Sequence, residues 1–326
     1  MPSGTIVGET SWQHQVQKNE KFQILIAIYL IATICCFGQQ VIKGASTLYA
    51  VAELPTPVLN TPDFSFVFGN KDGKTLNLDD SGLIREVEFI ALPKTLFKIE
   101  NTIKKGTATI YKVTTKDYPY PTQKGYFIDS RFVNTSDDKP PGRSKQLPVK
   151  KAIIDALVSS EGGRYIWGGN YRGGIPQMIS FYPPSPLLNN DLKEQCMLKG
   201  VDCSGLLYEA TGGSTPRNTS SLITFGKPVK IAGLSVSQII HTLKPLDIIV
   251  WMGHVIIVLD KERTIESRLD YDKEQEGNQG GVRIRTLKEV ADETLKERVP
   301  VDNYEDEVEK GKKKFVVRRW YSSMKN

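Results

Sequence analysis

Asp202-Cys203-Ser204-Gly205-Leu206-Leu207-Tyr208-Glu209-Ala210 is the stretch that decides how this chain reads. An apolar run starts directly after a cysteine flanked by a carboxylate and a small hydroxyl. Cys203 is therefore predicted in the first turn of a helix, with Asp202 as its N-cap and Gly212-Gly213 as its stop. A thiol there meets unpaired backbone N–H groups and the positive end of the helix dipole, and both favour the thiolate. Farther along, Gly253-His254-Val255-Ile256-Ile257-Val258 sets a histidine at the head of an apolar strand. A cysteine opening a helix and a histidine opening a later strand are the nucleophile and base of thiol-based acyl transfer. The bland reading of Cys203, a buried small hydrophobe, is normal for free cysteine but leaves the cap and the histidine unexplained.

Counting residues narrows the assignment. The chain has 3 histidines. His14 precedes an apolar N-terminal segment, and His241 sits in Ser237-Gln238-Ile239-Ile240-His241-Thr242-Leu243, a short predicted helix where it reads as a surface or capping residue. The base for Cys203 is then His254. With so few histidines, no His-Glu-x-x-His and no paired cysteine clusters, a zinc-peptidase reading falls away, and neither metal nor other cofactor is expected. Of 4 cysteines, Cys35 and Cys36 lie in the apolar segment, leaving Cys196 and Cys203. A bridge across so short a loop would silence the nucleophile, so two free thiols are expected.

Three pieces in order, Tyr165-Ile166-Trp167-Gly168-Gly169, Asp202-Cys203-Ser204-Gly205 and Gly253-His254-Val255, resemble the NlpC-type cell-wall peptidases, a bacterial papain-like family. Thr215-Pro216-Arg217-Asn218 and Leu246-Asp247-Ile248-Ile249 support the match, which covers Val149 to the C-terminus. In that family the group orienting the base histidine follows it at a set spacing and is His, Asn or Gln. Here the position holds Glu266, a departure that is chemically adequate because a carboxylate accepts the ring N–H and stabilises an imidazolium. Geometry leaves the assignment open. A four-residue hairpin loop over Asp260 to Arg263 would put Glu266 on the face opposite His254, whereas a three- or five-residue loop restores the same face. The resemblance further implies that Tyr165, Trp167, Asp202 and Ser204 line the substrate pocket, with Asp202 and Ser204 holding a free amine. A pure capping role is the equal alternative for Asp202.

A second departure is an insertion from about Tyr171 to Gly200. Gly173-Gly174, Pro176, Pro183-Pro184 and Pro186 argue for an irregular surface loop, either a rim over the cleft or a decoration.

The 326 residues suffice for two domains and a tail, and the hydrophobic content of 39% for packed cores. A net charge of +6 from 43 basic and 37 acidic residues is too mild and dispersed for nucleic acid, and suits work near an anionic wall or membrane. Lys312-Lys313-Lys314, after the acidic run ending at Glu309, reads as a solvated turn. Ile24 to Gly38 is almost unbroken apolar sequence, shorter than the roughly twenty residues of a membrane span. It reads as a signal or anchor, so export to the periplasm or cell envelope is expected, with membrane attachment through that segment. From Thr47 to Val133, apolar runs at Leu48–Val51, Phe64–Phe68, Val87–Leu92, Ala108–Val113 and Gly125–Val133 suggest a small barrel or sandwich. The last run resembles the closing strand of a bacterial SH3-like domain. Ser136 to Pro148, with Pro140-Pro141-Gly142, is the linker.

The expected organisation is α+β: a tail over 1–45, an SH3-like β barrel over 46–135, a linker over 136–148 and a papain-like domain over 149–326. In the last, a helix layer lies on an antiparallel sheet. Helices are predicted at Val149–Ser160, from Cys203 to about Thr211 and from Leu287, and strands at Leu246–Trp251, His254–Leu259, Thr264–Ser267, Val282–Arg285 and Phe315–Trp320. The resemblance implies a monomeric cysteine endopeptidase that cleaves γ-D-glutamyl–diamino acid bonds in peptidoglycan stem peptides. Its alternatives are a non-catalytic peptidoglycan-binding protein on the same fold, and a thiol amidase or acyltransferase with another substrate.

Overall fold

The computed structural model describes residues 49–186, 188–270 and 280–321, and the expected signal or anchor segment lies outside them. The described residues fall in one compact unit. Its first half is a seven-stranded antiparallel sheet built from β1 (Tyr49–Ala52), β2 (Thr56–Leu59), β3 (Val87–Ala91), β4 (Leu96–Lys105), β5 (Ala108–Thr114), β6 (Tyr126–Asp129) and β7 (Val133–Ser136). The strand order is β3-β2-β6-β5-β4-β1-β7. Buried Val58, Phe89, Phe97, Ile110 and Ile128 anchor its core. One apolar run departs from expectation: Phe64–Val67 is a helical turn, because its apolar side chains repeat at three, burying Phe64 and Val67 while Phe66 faces out.

Continuing along the chain, β8 (Asn170–Tyr171) pairs with β9 (Gly200–Val201). Then β10 (Lys227–Val229), β11 (Ile248–Trp251), β12 (His254–Val258), β13 (Arg263–Arg268), β14 (Gly281–Thr286), β15 (Arg298–Pro300) and β16 (Lys313–Arg319) make the second large sheet. Its order is β10-β16-β11-β12-β13-β14, antiparallel throughout except that β15 joins β16 in parallel. Both faces of this sheet are covered, in place of the single helix layer expected. Ile248, Val250, Val255 and Ile257 pack with Ile153, Leu157, Leu206 and Leu207 of helices Lys150–Val158 and Cys203–Ala210. The alternate residues Ile249, Ile256, Val258 and Val317 pack with Ile239, Leu287 and Val290 of helices Val236–Thr242 and Leu287–Glu297. Strand alternation explains it: β11, β12 and β16 are apolar at consecutive positions, so each face needs a cover. Mixed helices and an antiparallel sheet make the class α+β.

Two further expectations are corrected. The 171–200 segment carries helices Gln177–Phe181 and Asn190–Cys196, and it buries Ile175, Met178, Tyr182, Cys196 and Leu198 in the core of the first sheet. Its proline and glycine density marks the joints between these pieces, while the apolar residues between the joints find a core. Lys313 and Lys314 belong to β16 and form no turn; the Lys314 ammonium donates to the Asp306 carbonyl at 2.9 Å and lies 5.1 Å over the Tyr304 ring. Among the described residues, no helix is long and apolar enough to cross a membrane.

Candidate active site

Cys203 heads its helix, and the Asp202 side chain caps it by accepting from the Gly205 N–H at 2.7 Å. Position 205 has to be glycine, since a Cβ there would stand 2.0 Å from the Gly169 carbonyl oxygen. That close approach seats the Cys203 helix against the Tyr165–Gly169 segment. The histidine is placed by a hairpin. Trp251 pairs with His254 across the two-residue turn Met252-Gly253, and Gly253, at its second central position, takes a positive φ (101°) that glycine adopts without strain. The Gly253 N–H donates to Thr219 Oγ1 at 3.0 Å, and the Cys203 thiol reaches back to the Gly253 carbonyl at 3.8 Å. The head of β12 is thus tied to the head of the helix.

The register answers the question of Glu266. Val258 pairs with Thr264, so the five residues Leu259 to Arg263 connect them. Residues opposite one another share a face, and so do residues two apart on a strand. His254 and Glu266 are consequently on one face, and His254 Nε2 meets Glu266 Oε2 at 2.6 Å. The Cys203 side chain lies within electrostatic range of the imidazole. With Nε2 directed at the carboxylate, Nδ1 is the nitrogen left for sulfur. Cys203 and Glu266 are buried, and the His254 side chain is only 18% exposed. Burial opposes charge on the imidazole, but the hydrogen bonds and negative charges of Cys203 and Glu266 outweigh it and raise its pKa to about 9. Burial likewise opposes ionisation of Glu266, yet the His254 hydrogen bond and the nearby cations hold its carboxyl below the usual value.

Asp202 has a partner that the spacing does not announce. Arg217, 4% exposed, donates from Nη2 to Asp202 Oδ2 at 2.6 Å and from Nη1 to Asp202 Oδ1 at 2.9 Å. The same guanidinium reaches Ser204 Oγ at 2.8 Å, the Gly169 carbonyl at 3.0 Å and Asn170 Oδ1 at 3.1 Å. Asp202 and Ser204 therefore sit in a neutralised, buried network. Asn170 carries this network into the first sheet, exchanging hydrogen bonds with the Ile90 backbone at 2.9 and 2.8 Å.

The first sheet contributes directly to the neighbourhood of the cysteine. Trp167 is 38% exposed, with the Arg85 guanidinium 4.3 Å above its ring. Tyr165 is buried, which pushes its phenol well above the ordinary value, and Asp202 and Cys203 lie within electrostatic range. Tyr118, in range of Asp202 and Arg217, donates to Glu88 at 3.3 Å, and Tyr120 accepts from the Asn218 N–H at 3.0 Å. Glu88 also accepts from Asn60 at 2.9 Å and has no ion-pair partner among the described residues. Met252, 54% exposed, lies in the turn between Trp251 and His254. Sequence reasoning had no signal for Glu88, Tyr118 or Arg85, since the motif-bearing region starts after them.

The remaining cysteine and histidine are elsewhere. Cys196 is a free thiol at the end of its helix in the first core, where burial pushes it up to about 11. His241 is exposed, bonded through Nδ1 to the Ser237 carbonyl at 2.7 Å. Among the described residues, no three His, Cys, Asp or Glu side chains converge as a metal would require.

No protein-family model matches this chain, and no curated protein does either. Among solved structures, the chain is similar to an NlpC/P60 family protein from Bacillus cereus ATCC 10987, at 15% identity and a TM-score of 0.30. The similarity covers 83% of this chain and 63% of that one, so the chain spans less than two thirds of its length.

Proposed function

We propose that the protein is a cysteine endopeptidase of the papain-like kind acting on peptidoglycan stem peptides at γ-D-glutamyl–diamino acid bonds. One observation carries the reading: a thiol at a helix start, tied to the head of the strand whose histidine bonds a buried carboxylate at 2.6 Å, with the imidazole in electrostatic range of the sulfur. Cys203 sulfur attacks the scissile carbonyl carbon, and the N–H at the helix start helps bind the oxygen that becomes negative. His254, held as imidazolium, gives its proton to the departing amine as the C–N bond breaks, leaving a thioester. Water then attacks the thioester while His254 takes its proton, and the thiolate departs. Glu266 orients the ring and balances its charge throughout.

In this reading substrate recognition draws on the charges grouped around Tyr118, which lies in range of Glu88, Asp202 and Arg217. Arg217 already neutralises Asp202, so an incoming ammonium group is better matched by Glu88, which lacks a cation. Tyr165 and Trp167 supply the apolar wall. In this proposal the first sheet is the SH3-like barrel of a two-domain enzyme, exported and attached through its N-terminal segment. The test is mass spectrometry of defined muropeptides after incubation. New free diaminopimelate amines support the endopeptidase; released muramyl lactyl groups make it an amidase. Wall binding with no turnover points to the non-catalytic alternative.

A further inference from the structure

Glu266 has two carboxylate oxygens, and the mechanism uses one. Oε2 meets His254; Oε1 lies 3.5 Å from Arg285 Nη1, and Glu266 is only 2% exposed. A buried carboxylate oxygen without a donor is costly, and a carboxyl group so placed tends to take up a proton. The register puts Arg285 where it is needed: Thr264 pairs with Arg285 and Glu266 with Arg283, so both arginines share the face of Glu266. Arg285 is itself fixed from the far side by Glu293, at 2.8 and 2.5 Å, a two-toothed clamp from the helix Leu287–Glu297. Imidazolium, carboxylate, guanidinium and carboxylate thus alternate in sign from His254 out to Glu293, which is half exposed.

We infer that Arg285, held by Glu293, is a positioning residue that keeps Glu266 ionised and aimed at His254, extending the catalytic group from three members to five. The inference rests on the peptidase reading and concerns a residue that touches neither substrate nor sulfur. A neutral His, Asn or Gln in the third place would need no counter-charge behind it; a carboxylate does. The other charged groups around this pair are accounted for. Arg268, on β13, is 4.0 Å from Glu293 and within electrostatic range of Glu266. Arg283 is engaged with Asp270 at 2.5 Å, while Lys296 and Glu297 line the outer wall of the same cavity, of about 460 Å³.

The test follows the rate at which iodoacetamide alkylates Cys203 as a function of pH, read by mass spectrometry on the full chain. It compares wild type, Arg285→Met, Glu266→Gln and the double variant, with urea melts to establish folding. Arg285→Met should displace the rise of the rate to higher pH by about one unit, about ten-fold slower alkylation on the rising limb. Arg285→Lys should recover part of the loss. In the Glu266→Gln background Arg285→Met should add almost nothing, because it acts through the carboxylate. Glu293→Gln, which cuts only the clamp, should give a smaller displacement in the same direction, and it stands in if the methionine variant does not fold. Displacement to lower pH would make Arg285 merely a cation repelling the imidazolium and overturn the inference, as would an unchanged profile or full additivity with Glu266→Gln. A wild type whose Cys203 reacts no faster than Cys196, with no muropeptide turnover, would instead defeat the peptidase reading itself.

Discussion

Cys196 and Cys203 lie on consecutive helices of one chain, both unbridged and both buried, yet they are chemically unlike. Cys196 closes its helix, where the carbonyl end disfavours a negative sulfur, and it is surrounded by the aliphatic and aromatic core of the first sheet. Cys203 opens its helix and has an imidazole on one side and a carbonyl on the other. Burial is shared, so burial does not set the two apart. The end of the helix and the neighbouring imidazole do.

The most drastic way to break this contrast is to exchange the two thiols' fates by deletion. Cys203→Ala should abolish hydrolysis while the protein still folds and binds muropeptide. Cys196→Ala should leave turnover near the wild-type value and cost about 1 kcal/mol of stability in urea melts. Residual turnover in the first variant near wild type would end the assignment.

Next in size is the third group. Glu266→Ala should lose on the order of 10²–10⁴ in kcat/KM, the range for orienting groups in other triads. Glu266→Gln should lose less, because an amide oxygen still accepts the ring N–H. Equal activity in both variants would show that the His254–Glu266 contact at 2.6 Å has no catalytic use.

The pH profile gives a milder test. His254 is raised from 6.5 to about 9, so its proton is present at neutral pH, and kcat/KM should fall on an alkaline limb near pH 9. The sign for stability follows the same shift. A raised imidazole stabilises the folded state fully below about pH 6.5, and that contribution is lost as pH rises through about 9. Urea melts between pH 6 and 10, compared with His254→Gln, should show the difference narrowing on the alkaline side.

The smallest effect concerns the first sheet. Glu88→Gln should raise KM about ten-fold for a stem peptide with a free N-terminal amine and leave kcat almost unchanged. An N-acetylated peptide should be indifferent to the substitution. If Asp202 were the amine's partner in spite of Arg217, the variant would be silent with both peptides.

Much of the second half was legible because its signals are local. The Asp202 cap, the Gly212-Gly213 stop and the apolar alternation around His254 each depend on neighbours in sequence, and the helix Cys203–Ala210 and strand β12 form where those signals stand. The hairpin was legible only as a set of alternatives, since loop length fixes the face of Glu266 and no residue in Asp260–Arg263 dictates that length. Arg217 was visible as part of a motif but not as the counter-charge of Asp202, because nothing in the spacing of residues 202 and 217 brings them to 2.6 Å. Strands β2 and β4 escaped notice for another reason. Pro57 interrupts one, and Lys98, Glu100, Lys104 and Lys105 give the other a charged appearance, whereas pairing on both sides decides both. The helices of 171–200 were hidden by the prolines and glycines that separate them.

The same segment bears on modularity. Tyr182 packs against Phe64 and Phe68 at ring distances of 6.1 and 5.4 Å and hydrogen-bonds the buried Asp129, while Phe181 meets Phe132 edge-on at 5.1 Å. A fragment starting at Val149 would carry Ile175, Met178, Tyr182 and Leu198 with their cover stripped away, and an Asn170 whose amide had lost the Ile90 backbone. A fragment ending at Pro148 would show the other side of the same wound. Beads on a string can be exchanged one at a time; a mortised joint cannot. Any transplant that gives this second half a different front sheet must bring along a matching version of residues 171–200, or it will trade folding for aggregation.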